Sequence, residues 1–228
     1  MKNTTSESSA NKKFALFLFG LPGSGKTSLS QSLSQLSGFH MLSGGNLFRE
    51  LLGSEVDSEE KRIAEKIVLQ GIGAPNHLMI RLFRRELENH NIDRIVFDGN
   101  PKDIYQFKEI LKLLEDFNFQ EHQVFSVWLD SEVSVASERI KNRLICSVCG
   151  KLHNGSSTDC LTCGGTIARR KDDQSKEAIE SKVKWFEADV KPILLYCQSS
   201  HIFLKISPDS TAERSLQTVL EWLKISSV

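Results

Sequence analysis

The chain has 228 residues, of which 39% are hydrophobic and 25% are charged, a composition typical of a folded globular domain. Its 29 basic and 29 acidic residues give a formal net charge of zero at pH 7, which disfavours a strongly basic nucleic-acid-binding protein and an acidic tail. No apolar run approaches the roughly 20 residues of a membrane-spanning helix. We therefore expect neither a nucleic acid nor a membrane as a partner.

Short apolar runs alternate along the chain with longer stretches of helical periodicity. The apolar runs predict strands at 14–19, 94–97, 124–129 and 201–206, and a further short apolar run covers 39–42. Apolar residues at helical spacing predict helices at 26–36, 46–52, 57–69, 103–117, 131–144, 174–197 and 211–223, with another that begins at Pro75. Strands that alternate with helices predict an α/β fold, a parallel sheet flanked by helices.

Two long segments interrupt this rhythm and divide the chain. Segment 43–74 has the pattern of short helices, and segment 142–173 contains four of the five cysteines. Loops of this length inside a compact domain usually have a function. We interpret residues 1–13 as a disordered leader and the two segments as insertions. The remaining residues form one core domain: 14–42, 75–141 and 174–228.

A glycine-rich loop follows the first predicted strand. Residues 20–27 have the sequence Gly-Leu-Pro-Gly-Ser-Gly-Lys-Thr and match G-x-x-x-x-G-K-[ST], the pattern of a P-loop. In such a loop, backbone N–H groups and the positive end of the following helix surround a polyphosphate. Lys26 then reaches the β- and γ-phosphates, and a hydroxyl of Thr27 or Ser28 lies near Mg²⁺. The predicted phosphate-binding residues are Gly20, Gly23, Ser24, Gly25, Lys26, Thr27 and Ser28.

Four cysteines form two C-x-x-C pairs. Cys146 and Cys149 are separated by ten residues from Cys160 and Cys163. Two such turns can complete a tetrahedral site of four thiolates, for which Zn²⁺ is the preferred ion and iron is the alternative. Because four protein ligands leave no open coordination position, we expect a structural site that stabilises a segment too small for its own core. Reduced cysteines also indicate a reducing compartment, most simply the cytoplasm.

Five motifs, taken together, resemble those of the adenylate kinases. The motifs are residues 20–27, 42–49, 98–102, 139–143 and 170–173, and they occur in the order and spacing of that family. The resemblance extends over residues 14–225 and is greatest to the members whose long lid contains a four-cysteine zinc site. It implies a kinase with a P-loop fold that transfers a phosphoryl group from ATP to AMP with Mg²⁺, giving two ADP. We expect a monomer that binds these small nucleotides.

The resemblance also implies what the two insertions do. Segment 43–74 corresponds to the insertion that binds the nucleoside monophosphate, and we call it the acceptor insertion. Segment 142–173 corresponds to the lid over ATP, and we call it the cysteine lid.

On the acceptor side, the resemblance assigns AMP binding to four residues. Arg49 and Lys102 would bind its phosphate, Gly99 would belong to the same site, and Gln106 would recognise the edge of the adenine. Asp98, at the end of a predicted strand, would bind Mg²⁺ through water.

On the donor side, the resemblance assigns catalysis to five basic residues. Lys26 would contact the phosphates of ATP, and Arg139 and Arg143, one helical turn apart, would reach the transferring phosphoryl group. Arg170 would lie at the second hinge of the cysteine lid, and Lys182 occupies the position of a further arginine on the long helix.

The sequence departs from the family pattern at four positions. Gly44 replaces a threonine, Asn100 replaces a phenylalanine, and Lys102 and Lys182 replace arginines. Each lysine keeps the positive charge but loses the bidentate grip of a guanidinium on phosphate. Because phosphoryl transfer depends on positioning and charge, we expect a slower enzyme or a changed acceptor preference. A kinase for UMP, CMP or GMP and a catalytically weak ATP-binding regulatory protein stay open as alternatives.

Overall fold

The computed structural model describes residues 13–54, 58–70, 74–153, 157–169, 175–200, 202–207 and 210–224. The predicted leader up to residue 12 and Arg170 lie outside these ranges. The strands are β1 (Phe14–Phe19), β2 (His40–Ser43), β3 (Arg94–Asp98), β4 (Val124–Leu129), β5 (Leu144–Cys146), β6 (Leu152–His153), β7 (Ile167–Arg169) and β8 (Ile202–Ile206). The helices are α1 (Lys26–Ser37), α2 (Gly44–Gly53), α3 (Glu59–Gln70), α4 (Asn76–Asn89), α5 (Ile104–Asp116), α6 (Val133–Lys141), α7 (Lys176–Trp185), α8 (Lys191–Ser200) and α9 (Ala212–Leu223).

Five parallel strands form the main sheet, in the order β2-β3-β1-β4-β8. β1 lies at the centre, and all six of its residues are buried. A strand covered by helices on both faces needs apolar side chains in both directions, which explains its continuous run Phe-Ala-Leu-Phe-Leu-Phe. The short apolar run at 39–42 corresponds to the edge strand β2. The predicted α/β fold with a parallel sheet is confirmed.

Two apolar cores, one on each face of the main sheet, fix the helices to it. Alternate residues of a strand point to opposite faces. Phe17 and Phe19 therefore belong to one core, together with residues of α4, α5 and α8, whereas Leu16 and Leu18 belong to the other core with residues of α1 and α9. None of the helices in the described ranges is both long and apolar enough to span a membrane.

The cysteine lid contains a small sheet that the sequence did not predict. β5 pairs antiparallel with both β6 and β7. The helix predicted over 131–144 is therefore too long, because α6 ends at Lys141 and Leu144 already belongs to β5. Strands of two or three residues are too short to show an apolar alternation. The turns around the cysteines determine how these short strands pair.

The long helix predicted over 174–197 is interrupted by a wider turn. A π-helical segment, Phe186–Val190, joins α7 to α8, and the backbone N–H of Lys191 donates to the carbonyl of Phe186. Pro192 follows at once. A proline has no N–H to donate, and its ring crowds the carbonyl four residues before it. The π-helical turn accommodates the proline and changes the rotational phase between α7 and α8.

The aromatic rings around β1 provide a test of the core that contains Phe17 and Phe19. Phe17 is fully buried, and its ring centre lies 4.6 Å from that of Phe97 and 5.1 Å from that of Phe107. Phe17→Ala leaves a cavity between these rings and should lower the free energy of unfolding by about 3–5 kcal/mol in urea denaturation. Tyr105→Ala, at a side chain that is 76% exposed, is the control and should change it by less than about 0.5 kcal/mol. A loss of under about 1 kcal/mol for Phe17→Ala would contradict the described packing.

Candidate active site

The P-loop joins β1 to α1 at the carboxyl edge of the main sheet. Gly20, Gly23 and Gly25 have φ angles of 149°, 87° and 100°, a range that favours glycine. At Gly23 an added Cβ atom would also overlap the backbone carbonyl of Ala136 in α6. The loop can therefore pack against α6 only with a glycine at this position.

Lys26, the first residue of α1, folds back over the loop. Its Nζ atom donates hydrogen bonds to the carbonyl oxygens of Gly20 at 2.8 Å and Leu21 at 2.9 Å. Burial lowers the pKa of Lys26 to about 8. The positive charges of Arg143 and Lys102 also lower it, whereas the Asp98 carboxylate raises it. A phosphate placed in the loop would compensate this burial, since it brings a negative charge to the ammonium.

Asp98 ends β3, the strand next to β1 in the sheet. The hydroxyl of Thr27 donates to its carboxylate and lies 3.1 Å from each of the two oxygens. Burial raises the pKa of Asp98, while Lys26, the Thr27 hydrogen bond, Lys102 and Arg143 act in the opposite direction. A carboxylate beside a threonine hydroxyl is an oxygen-donor set that suits Mg²⁺.

A buried hydroxyl in the loop fits a phosphate ligand. Ser24 is 7% exposed, and its Oγ atom has no hydrogen-bond partner within the described part of the chain. A buried polar atom without a partner destabilises the folded state, and a phosphate oxygen would accept its hydrogen. The sequence did not decide whether the hydroxyl of Thr27 or that of Ser28 lies near Mg²⁺. In the structure the Thr27 hydroxyl bonds to Asp98, whereas Ser28 is half-buried in the first turn of α1.

On the acceptor side, Arg49 lies on α2 and reaches the cysteine lid. Its Nη2 atom donates to Oδ1 of Asn46 at 2.6 Å. An added Cβ atom at Gly150 would overlap this guanidinium, so Arg49 packs directly against the turn that follows Cys149. The acceptor insertion and the cysteine lid are therefore in contact, with Arg49 between them.

Gln106 is 1% exposed, and its side-chain amide forms hydrogen bonds at both of its polar atoms. Oε1 accepts from the backbone N–H of Lys102 at 2.7 Å and from Nδ2 of Asn100 at 2.8 Å, and Nε2 donates to Oδ1 of Asn76 at 3.0 Å. Gln106 therefore fixes the loop after β3, in which Gly99 has a φ of 71°, and ties it to α4. Its contact with adenine stays a prediction. Asn76 was not predicted, because a bond between residues 30 positions apart leaves no local pattern.

Two of the four departures from the family pattern contact each other. An added Cβ atom at Gly44 would lie 2.6 Å from Cε of Met79 and 3.0 Å from Oδ1 of Asn100. Met79 and Asn100 thus occupy the space that a threonine side chain would need at position 44. A threonine at position 44 would therefore overlap Met79 and crowd Asn100.

On the donor side, the predicted arginines differ in how close they lie to the P-loop. Arg143, just after α6, is half-buried and close enough to Lys26 and Asp98 to affect the pKa of each. Arg139, one turn earlier on α6, is exposed. Arg170 lies outside the described residues.

The two replacement lysines come from different elements and approach the same region. Lys102 lies in the loop after β3, and its Nζ atom lies 5.0 Å from the centre of the Trp185 ring on α7. Lys182 is half-buried on α7, three residues before Trp185 and hence on the same helix face. No motif predicted Trp185 as a site residue, because its contact with Lys102 joins distant parts of the chain.

The four paired cysteines meet at one point in the cysteine lid. Their sulfur atoms all lie within 4.8 Å of one another, with 3.4 Å between Cys146 and Cys163 and 3.7 Å between Cys149 and Cys160. A tetrahedral Zn²⁺ with zinc–sulfur bonds of about 2.3 Å places its sulfur ligands about 3.8 Å apart. The thiols therefore fit a tetrahedral ion. Nε2 of His153 lies 3.3 Å from the Cys160 sulfur and adds a hydrogen bond to this group.

Comparison with known proteins agrees with this geometry. The family model for adenylate kinase matches residues 18–202. The chain belongs to the adenylate kinase family. It is 26% identical over 215 residues to the adenylate kinase of Pelagibacter ubique, a match that covers 92% of this chain and 99% of the relative. It is 24% identical over 216 residues to the adenylate kinase of Thermosipho melanesiensis, with coverage of 92% and 99%. It is 26% identical over 221 residues to the adenylate kinase of Thermococcus kodakarensis, with coverage of 91% and 94%.

Residues that match the family pattern and residues that depart from it lie in one cluster. Lys26, Asp98 and Arg143 match the pattern, and Lys102, which departs from it, acts electrostatically on both Lys26 and Asp98. The lysine-for-arginine replacement at 102 is therefore close enough to Lys26 and Asp98 to influence the charge of both.

The lowered pKa of Lys26 predicts how the affinity for ATP depends on pH. In the free protein this pKa is about 8, and a bound polyphosphate should raise it because opposite charges attract. Below pH 8 the lysine is protonated in both states, so the affinity should be constant. Above pH 8 binding must take up a proton, so the dissociation constant should rise by up to about tenfold per pH unit. Calorimetry with ATP and Mg²⁺ from about pH 7 to 9.5 measures this dependence.

Lys26→Arg is the matched control, because a guanidinium stays charged throughout this range. Its dissociation constant for ATP should be larger than that of the parent at pH 7 but independent of pH up to pH 9.5. A flat profile in the parent would contradict the assignment of this pKa to Lys26.

Proposed function

We propose that this protein reversibly transfers the terminal phosphoryl group of ATP to AMP, giving two ADP. The meeting of Lys26, Asp98, Lys102 and Arg143 at the carboxyl edge of the main sheet supports this proposal most directly. Three positive groups around one carboxylate suit a polyphosphate with Mg²⁺. The relatives that match more than nine-tenths of the chain have the name adenylate kinase.

The P-loop and its neighbours bind the donor nucleotide in this proposal. Backbone N–H groups of the P-loop surround the phosphates of ATP, and Lys26 exchanges its two carbonyl partners for phosphate oxygens. Asp98 and Thr27 would hold Mg²⁺, Asp98 through water. When bound, Mg²⁺ neutralises part of the charge on the β- and γ-phosphates.

The transfer itself needs no nucleophile on the protein. An oxygen of the AMP phosphate forms a bond to the γ-phosphorus, and the bond between that phosphorus and the bridging oxygen of the leaving ADP breaks. The protein aligns the two nucleotides and stabilises the negative charge of the transferring group. Arg143, with Arg139, Arg170 and Lys182, supplies positive charge from the base of the cysteine lid and from α7.

The acceptor side binds AMP through its phosphate and its base. Arg49 and Lys102 bind the phosphate, Gly99 lets the loop after β3 turn beside it, and Gln106 recognises the adenine. Because Arg49 already packs against Gly150, a phosphate bound to Arg49 lies next to both the acceptor insertion and the cysteine lid. AMP binding and lid closure are thereby linked through one side chain.

The division of the chain follows the same scheme. We assign residues 43–74 to the acceptor insertion, residues 142–173 to the cysteine lid, and residues 14–42, 75–141 and 174–228 to the core domain. A closed lid excludes water, which would otherwise accept the phosphoryl group. A monomeric state stays a prediction, and so does a cytoplasmic location, which the reduced cysteines support.

A coupled assay of ADP production tests the proposed function. With ATP and Mg²⁺, kcat/KM for AMP should exceed that for UMP, CMP or GMP by about tenfold or more, because the acceptor site is matched to one base. Lys26→Ala should lower kcat/KM by about 10²–10³ without loss of the circular dichroism of the fold, since it removes charge and not packing.

Lys112→Ala, on the exposed face of α5, is the control for Lys26→Ala and should keep the activity of the parent. A clear preference for UMP, CMP or GMP would identify that nucleotide, and not AMP, as the acceptor. The absence of turnover with every monophosphate would overturn the assignment as a kinase.

We further propose that the cysteine lid binds one structural Zn²⁺ through Cys146, Cys149, Cys160 and Cys163. The close approach of the four sulfur atoms supports this set of ligands. The lid has strands of only two or three residues, so the free energy of metal binding would provide most of its folding free energy.

Elemental analysis of gently purified protein should find about one Zn²⁺ per chain, and strong chelation should lower the melting temperature. Cys163→Ser should bind less zinc and melt below the parent. Cys197→Ser is the control, because Cys197 is buried in α8 outside this cluster, and it should keep the zinc of the parent. Iron in place of zinc would change the identity of the ion, and the absence of both would contradict the site.

A further inference from the structure

A tryptophan that the proposed mechanism does not use contacts one of its lysines. Nζ of Lys102 lies 5.0 Å from the centre of the Trp185 ring, a distance at which the face of an indole attracts an ammonium. Trp185 is half-buried at the last residue of α7, whereas Lys102 is exposed in the loop after β3. The contact therefore links the loop on the acceptor side to the helix that contains Lys182.

The backbone of Lys102 is anchored separately from its side chain. Its N–H donates to Oε1 of the buried Gln106 at 2.7 Å. The side chain that extends from this anchor has a flexible stem and a compact, strongly hydrated charge. An arginine, which the family pattern has here, presents a rigid planar head that binds two phosphate oxygens at once. A lysine gains comparable order only if a second contact restricts its ammonium.

The contact with the indole holds the Lys102 ammonium near two groups of the candidate site, Lys26 and Asp98. The charge of Lys102 lowers the pKa of both Lys26 and Asp98, as does that of Arg143. The ammonium that contacts Trp185 is therefore close enough to influence both Lys26 and Asp98. An aromatic face attracts a cation without neutralising it.

We propose that Trp185 is a positioning residue for the acceptor phosphate: its indole face holds the Lys102 ammonium where the phosphate of AMP binds. This contact offsets the replacement of an arginine by a lysine at position 102. The inference rests on the proposed function and adds a residue to it.

Calorimetric binding of AMP in the absence of ATP tests the proposal without any need for turnover. Trp185→Leu keeps an apolar side chain but removes the aromatic face, and it should raise the dissociation constant of AMP about three- to tenfold. Trp185→Phe keeps a weaker aromatic face and should lie between the parent and Trp185→Leu. The dissociation constant of ATP and kcat at saturating AMP should stay within about twofold of the parent. Melting temperatures show whether the variants fold.

A double-mutant cycle separates positioning from packing. Lys102→Met removes the charge and keeps the length of the side chain, so Trp185→Leu should have no further effect on AMP binding in that background. An equal loss in both backgrounds would show that Trp185 acts through packing alone and would overturn the proposal. Lys205→Met is the matched control, because Nζ of Lys205 lies 4.3 Å from the Trp128 ring at the pair of strands β4 and β8. This variant should bind AMP as the parent does.

The outcomes distinguish this inference from the proposed function. If the parent binds and phosphorylates AMP and Trp185→Leu binds it equally well, the inference fails and the proposed function stands. If the parent neither binds nor phosphorylates AMP, the proposed function fails, and the positioning role fails with it.

Discussion

The electrostatic attraction between Lys26 and Asp98 is the interaction on which the active site depends. Lys26 follows the loop after β1, and Asp98 is the last residue of β3, a neighbouring parallel strand in which Phe97 lies opposite Phe17 of β1. Burial opposes both charges, since it lowers the pKa of the lysine and raises that of the aspartate, and each partner favours the charged form of the other. The loop after β1 and the end of β3 are thus joined by a pair whose mutual attraction only partly offsets the burial of its charges. In the proposed function, the negative charge of a polyphosphate favours the protonated form of Lys26 further.

The acceptor side shows how replacements at several positions can compensate one another. Met79 and Asn100 occupy the space beside Gly44 that a larger residue would fill, and a buried glutamine fixes Asn100 in turn. Lys102 has an aromatic partner on α7 where the family pattern has a guanidinium. Gly44, Asn100 and Lys102 therefore each have a defined packing or hydrogen-bond neighbour in the fold.

The cysteine lid is organised on a different principle from the rest of the chain. The main sheet is stabilised by two apolar cores, whereas the lid exposes much of its apolar surface, with Leu161 97% exposed and Val148 60% exposed. Its order comes from two cysteine turns and a small antiparallel sheet. The turn after Cys149 also touches Arg49 of the acceptor insertion. The cysteine lid therefore contacts the acceptor insertion through the turn after Cys149.

Features with a local residue pattern could be predicted from the sequence. The sequence predicted β1 as a buried strand, the P-loop after it and a common site for the four paired cysteines. Burial on both faces, left-handed turns and metal ligation each restrict the residue types allowed at short, fixed spacing. Tertiary structure alone decided the bond of Gln106 to Asn76 and the contact of Lys102 with Trp185. These pairs form because the order of the strands and the orientation of α7 about its axis bring distant residues together. Such contacts have no periodicity, so no short stretch of sequence contains them.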